Sequence, residues 1–197
     1  MIKEHFFPTI IYGKDVDLDN VWLENKIIEW SKQDQEGVSK TNVNGWHSKT
    51  DMHTRNEYRP LCDELFKMQF EIYNEEHLNS EPRLGNMWAN INYTDSYNKP
   101  HIHPNALFSG VYYVKSPENS GELVFYDPRP GIQTIKPNNK KGELPKHLWR
   151  EVRIKPKTGR MIMFPSWLWH CVEPNKSKDI RISVSFNFIQ KGFENAF

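Results

Sequence analysis

The sequence predicts an α+β domain, predominantly β, in which helices come first and an antiparallel sandwich or barrel of short strands follows. Three observations predict it. Apolar residues at helical spacing are confined to the first 85 residues. From Asn86 onward the apolar runs are short, rich in β-branched and aromatic residues, and broken by Pro, Gly and Asn. No helix-length pattern falls between those runs, so the alternation that would build a parallel sheet is missing. The chain of 197 residues fits a single domain spanning 1–197. Residues 1–85 are expected to form helical support and an N-terminal segment, and residues 86–190 the strand core.

In chain order, the opening "MIKEHFFPTIIYG" is apolar in patches but has neither a long apolar stretch nor a small-residue cleavage site, so no signal peptide is expected. "DLDNVWLENKIIEWSKQ" places Leu23, Ile27 and Trp30 on one stripe, with Asp17 or Asp19 positioned to cap the helix. "RPLCDELFKMQFEIYNEEHL" repeats the pattern with Leu61, Leu65, Met68 and Ile72, and Pro60 suits a first turn. Between them "SKTNVNGWHSKTDMHTRNEY" is polar and turn-like, and its His47 and His53 read as surface residues. The predicted strands are "MWANINY", "LFSGVYYV", "GELVFYD", "EVRIKP", "RMIMF" and "IRISVSFNFI". "YDPRPGIQTIKPNNKKGELPKHLWR", from Tyr126 to Arg150, is a long polar excursion that could act as a lid.

Composition narrows the function classes. Lys and Arg total 26 against 25 for Asp and Glu, which leaves no basic footprint for nucleic acid and no polybasic patch for a membrane surface. No apolar run reaches the roughly 20 residues that span a bilayer. Cys62 and Cys171 are too few and too far apart for a disulfide framework or a zinc knuckle. A soluble, intracellular, cytoplasmic setting is the expectation. The partner expected is a small molecule or a protein side chain, and a homodimer is a compatible assembly.

Chemistry-bearing residues cluster in three places. "HIHP" puts His101 and His103 at alternate positions at the threshold of the strand "LFSGVYYV", where they would share a face and could point at one metal ion. In "GRMIMFPSWLWHCVEP" a strand ends and a tight apolar turn presents His170. In "IRISVSFNFI" the apolar residues Ile180, Ile182, Val184, Phe186 and Phe188 alternate with Arg181, Ser183, Ser185 and Asn187. Arg181 and Ser183 together offer a charged fork and a hydroxyl to one carboxylate.

This order, H-x-H, a distal His and then R-x-S, resembles the jelly-roll iron(II)/2-oxoglutarate-dependent oxygenases over roughly Met87 to Ile189. "NINYTDSYNKPHIHPNALFSGVYYV" is similar to one branch of that superfamily. The resemblance implies a double-stranded β-helix core and an enzyme, a dioxygenase that uses Fe(II), 2-oxoglutarate as cosubstrate and O2. It implies His101 and His170 as metal ligands, Arg181 as the anchor of the far carboxylate of 2-oxoglutarate, and Ser183 as its helper. Tyr93 and Tyr113 fall where related hydroxylases place tyrosines around that pocket.

One departure stands out: the usual carboxylate of the metal set is His103 here. His103 could complete a three-histidine site, could stand behind the ligands and leave a position open, or could yield to a carboxylate such as Asp127. Trp88, Trp167 and Trp169 could form a dry wall around the site. Two other readings remain open. One is a non-catalytic jelly-roll ligand-binding module. The other is a cupin-like three-histidine metalloenzyme that uses no 2-oxoglutarate.

Overall fold

The computed structural model describes every residue except 5, 79, 80, 82, 133, 135–141 and 191–197. Helix α1 (Asn20–Gln33) starts where Asp19 accepts a hydrogen bond from the Trp22 backbone N–H, which satisfies one of the orphan donors of the first turn. Helix α2 (Arg59–Glu75) carries Pro60 in its first turn, where a missing N–H costs nothing. The predicted stripes are the buried ones: Leu23, Ile27 and Trp30 on α1, and Leu61, Leu65, Met68 and Ile72 on α2. Both helices pack on one face of the sheet, against Met87, Ala89, Ile91, Ile182, Val184, Phe186 and Phe188.

Nine strands follow one another in space as β1-β7-β4-β9-β3-β8-β5-β6, with β2 on β3. They are β1 (Tyr12–Asp15), β2 (Asn42–His47), β3 (Arg83–His101), β4 (Phe108–Lys115), β5 (Leu123–Tyr126), β6 (Glu151–Ile154), β7 (Arg160–Pro165), β8 (His170–Val172) and β9 (Arg181–Ile189). Every named pair is antiparallel. The key element is β3. Its first half pairs with β9 from Arg83 to Asn92, and its far end pairs with β8 at Asn98 and His101. Between them Asp95 takes φ 63°, and the strand turns from one wall to the other. Phe125 on β5 meets Phe164 on β7 edge-to-face at 4.8 Å, so the walls close over a shared interior. This is a double-stranded β-helix with helices on its outer face.

Three strands are absent from the sequence prediction. β1 and β2 lie in the segment expected to be helical support, and β8 has only three residues. The prediction also misplaces "HIHP". His101 ends β3, and β4 begins at Phe108, so the two histidines close one strand instead of opening the next. No helix among the described residues is long and apolar enough to cross a membrane.

Candidate active site

His101 reaches the interior as the last residue of β3, directly opposite His170, the first of β8. His103 sits in the following loop, whose backbone N–H donates to the Ser166 carbonyl at 3.0 Å. Their ring centroids are 4.3 Å apart for His101–His170, 5.0 Å for His101–His103 and 5.1 Å for His103–His170. One nitrogen from each ring lies within 4.8 Å of the others. Nδ1 of His101 donates to the Lys99 carbonyl at 2.7 Å, and Nδ1 of His170 to the Leu168 carbonyl at 2.8 Å. Those bonds fix the tautomer and leave Nε2 as the electron-pair donor, and that of His170 lies 3.2 Å from Nε2 of His103. His103 is held differently. Its ring lies against Trp88, with centroids 5.9 Å apart, and Trp88 stacks in turn on His47 at 5.5 Å.

Burial and mutual repulsion keep the three rings neutral. Desolvation comes first for each, and neighbouring imidazoles add to it for His103 and His170. His103 falls to about 2 and His170 to about 3, and His101 is lowered as well. Neutral imidazole is the form that binds a metal. The sign of the pH effect follows. Below about pH 6.5 the unfolded chain takes up protons that the folded chain refuses. The metal-free protein should therefore lose stability as pH falls from 7 to 5, by up to about 1.4 kcal/mol per pH unit for each such ring. Denaturant midpoints measured across that range check this, and His103→Asn should flatten the slope.

Arg181 is 1% exposed, the most buried charge in the interior. Its Nη1 donates to the carbonyls of Ser120 at 2.7 Å and Gly121 at 3.2 Å, while Nε has no partner. The backbone of Gly121 is itself packed against Glu173. It takes φ +89°, and a Cβ there would lie 2.2 Å from the Glu173 carbonyl oxygen. No carboxylate among the described residues pairs with the guanidinium. Burial lowers its pKa to about 10, partly offset by Tyr113. Isolated buried charge is costly, and an anion entering the cavity would relieve that cost.

The three histidines, Arg181, Ser183 and Tyr113 line one cavity of about 350 Å3, together with Trp88, Phe164 and Leu123. Ser183 stands beside Tyr113 in register between β9 and β4. The polar face of β9 therefore looks inward, as the R-x-S reading requires. The structure does not bring every expected residue there. Tyr93 is 46% exposed and outside the cavity lining, because it lies past Asn92, where β3 begins its turn. Trp167 and Trp169 are 53% and 49% exposed, and of the three tryptophans only Trp88 belongs to the wall. Asp127 is held by Arg129 through contacts of 3.0 and 2.6 Å and borders a different cavity. That second cavity, of about 650 Å3, lies between the N-terminal segment and the described residues of the 126–150 excursion. None of those residues covers the histidine cavity, and residues 133 and 135–141 of the excursion lie outside the described ones.

His47 corrects the reading of it as a surface residue. It is 5% exposed, its Nδ1 donates to the Ser48 carbonyl at 2.6 Å, and it lines the cavity behind Trp88. His53, read the same way from the sequence, is half-buried in a short 3-10 turn (Met52–Thr54). The signal for His47 was the strand β2, which the polar text of that segment hides.

A double-stranded β-helix with three convergent imidazoles and a buried guanidinium defines a metal-dependent, anion-binding enzyme class. Residues 86–187, more than half of the chain, match the family described as "Putative 2OG-Fe(II) oxygenase". The chain belongs to that family of 2-oxoglutarate- and iron(II)-dependent oxygenases. Solved structures agree on the fold. A Pseudomonas putida prolyl-4-hydroxylase aligns with TM-score 0.62 at 14% identity over 93% of this chain and 94% of its own. The collagen prolyl hydroxylase of Paramecium bursaria Chlorella virus-1, in complex with 2-oxoglutarate, gives 0.59 at 18% over 90% and 94%. A Trichoplax adhaerens prolyl hydroxylase, in complex with a hypoxia-inducible-factor peptide fragment, gives 0.65 at 14% over 94% and 86%. No curated protein matches the sequence closely enough to count as a relative.

Proposed function

We propose that His101, His103 and His170 hold iron(II), that Arg181 and Ser183 hold the far carboxylate of 2-oxoglutarate, and that the chain oxidises a C–H bond of a small molecule or a protein side chain. The observation that carries this reading is the guanidinium of Arg181. It is buried without a counter-charge in the same cavity as the histidine cluster. A core designed only for stability would not keep an unpaired charge there. The donor set fits the metal, since three neutral nitrogens on one side leave other positions of the ion free.

When bound, iron(II) and 2-oxoglutarate supply the oxidation, in which O2 is consumed, the keto acid becomes succinate and CO2, and the substrate gains oxygen. The chain's residues bind, orient and shield. Arg181 fixes one end of the keto acid through a charge-assisted fork, so the other end can lie toward the histidines. Ser183 adds a hydroxyl two residues along the same face. Trp88, Phe164 and Leu123 keep bulk water from the reacting atoms. Tyr113 closes the Arg181 end, with its hydroxyl held neutral by burial, its pKa pushed up to about 12. Purified protein given ferrous iron and O2 should convert 2-oxoglutarate to succinate. No succinate above a His170→Ala control, with or without candidate substrates, would contradict the reading.

A further inference from the structure

On that reading, the charges in the cavity can be counted. A metal set of two histidines and one carboxylate, with a divalent ion, a 2-oxoglutarate dianion and one arginine, sums to zero. Here the carboxylate is replaced by the neutral ring of His103, so the same assembly keeps one positive charge. The other groups facing the cavity do not cancel it. An imidazole has no anionic form in water that could do so, and the Tyr113 hydroxyl is held neutral by burial. Among the described residues that line the cavity there is no Asp or Glu. Two lining side chains are charged, Arg181 and Lys40, and both are cations.

The wall also carries a row of amide side chains. β9 runs from Arg181 to Asn187 along the cavity floor, about 20 Å of strand. Near its Asn187 end the loop carrying His103 is tied down, with Leu107 N–H donating to Phe188 O at 2.9 Å and Ser166 N–H to Leu107 O at 3.1 Å. There Asn187 donates to Asn86 Oδ1 at 2.7 Å and accepts from Ser109 Oγ at 2.7 Å. Asn98 likewise uses its Oδ1 on Asn92, at 3.4 Å. Asn86 and Asn98 thus each use an acceptor within the protein, and both line the cavity. Lys40 lines the cavity close enough to His47 to help lower the pKa of that ring. One acceptor stands against this set, the buried Oδ1 of Asn90, which has no partner.

From these charges we infer that the substrate is an anion, a carboxylic acid whose carboxylate is drawn to Lys40, the lining cation that the keto acid leaves free. Its charge completes the neutrality that an acidic metal ligand would otherwise supply. A neutral substrate would leave that positive charge in a cavity whose described lining holds no carboxylate.

The test is calorimetric titration of matched pairs into anaerobic protein loaded with iron(II) and saturating 2-oxoglutarate. The probes are phenylacetate with phenylacetamide, hexanoate with hexanamide, and N-acetylglycine with N-acetylglycinamide. Saturating 2-oxoglutarate keeps the acids from being read at Arg181. The acid of at least one pair is expected to bind tenfold or more tightly than its amide, and Lys40→Glu, a change at an exposed side chain, should erase most of that preference. Amides binding as tightly as acids, an unchanged preference in Lys40→Glu, or no binding by any acid would each overturn the inference. Protein that fails to retain iron and 2-oxoglutarate before any probe is added would overturn the oxygenase reading instead.

Discussion

Replacing Arg181 by Ala is expected to raise the 2-oxoglutarate concentration needed for half-maximal turnover by two to three orders of magnitude. The lost contact is a charge-assisted fork in a dry site, worth roughly 2–4 kcal/mol. The guanidinium is buried without a counter-charge and with Nε unpartnered, so removing its charge offsets part of the cost of losing its bonds to the Ser120 and Gly121 carbonyls. Arg181→Met, which fills the space without a charge, is expected to melt at or above the wild-type temperature when no 2-oxoglutarate is present. The wild type should gain stability on adding 2-oxoglutarate, and the variant should not. Thermal melts with and without the keto acid check both halves. A variant that still needs only the wild-type concentration would favour a three-histidine enzyme that uses no 2-oxoglutarate.

His170→Ala has the other large effect. His170 is the most enclosed of the three rings, 4% exposed, with ring centroids of Phe164 at 4.7 Å and His101 at 4.3 Å. Removing it leaves two donors and an apolar gap. Even residues that only support a metal ligand change affinity by about 10–100-fold, so loss of the ligand itself should weaken iron(II) binding by more than about a hundredfold and abolish succinate formation. His103→Asp makes the informative contrast. It rebuilds a two-histidine, one-carboxylate set, so it should keep iron through gel filtration. It should also lower the preference for acidic probes, since the missing negative charge is restored.

Much of this arrangement was legible in the residues, for identifiable reasons. The helices declare themselves because each buries one stripe, and Asp19 marks a start. β9 is readable because its two faces differ in chemistry, although alternation alone cannot say which face meets water. Here the polar face is the interior one. His101, His103 and His170 are picked out by spacing and by an apolar flank. β2 escaped because "TNVNGWH" is polar and owes its extended form to pairing with β3. With it went His47, whose burial depends on Trp88 from a distant part of the chain. Tyr93 was placed by the resemblance alone, and the structure leaves it exposed just before Asp95, where β3 bends. Asp127 was plausible as a ligand only until Arg129, two residues away, was seen to hold it.

The most direct test of the account is an anaerobic titration of the purified chain with ferrous iron and then 2-oxoglutarate, followed in the visible spectrum. A weak charge-transfer band should grow to one equivalent of each. It should be absent in His170→Ala and should require far more 2-oxoglutarate in Arg181→Ala. Folded wild-type protein that shows no band at saturating iron and 2-oxoglutarate, or a band indifferent to both substitutions, would contradict it.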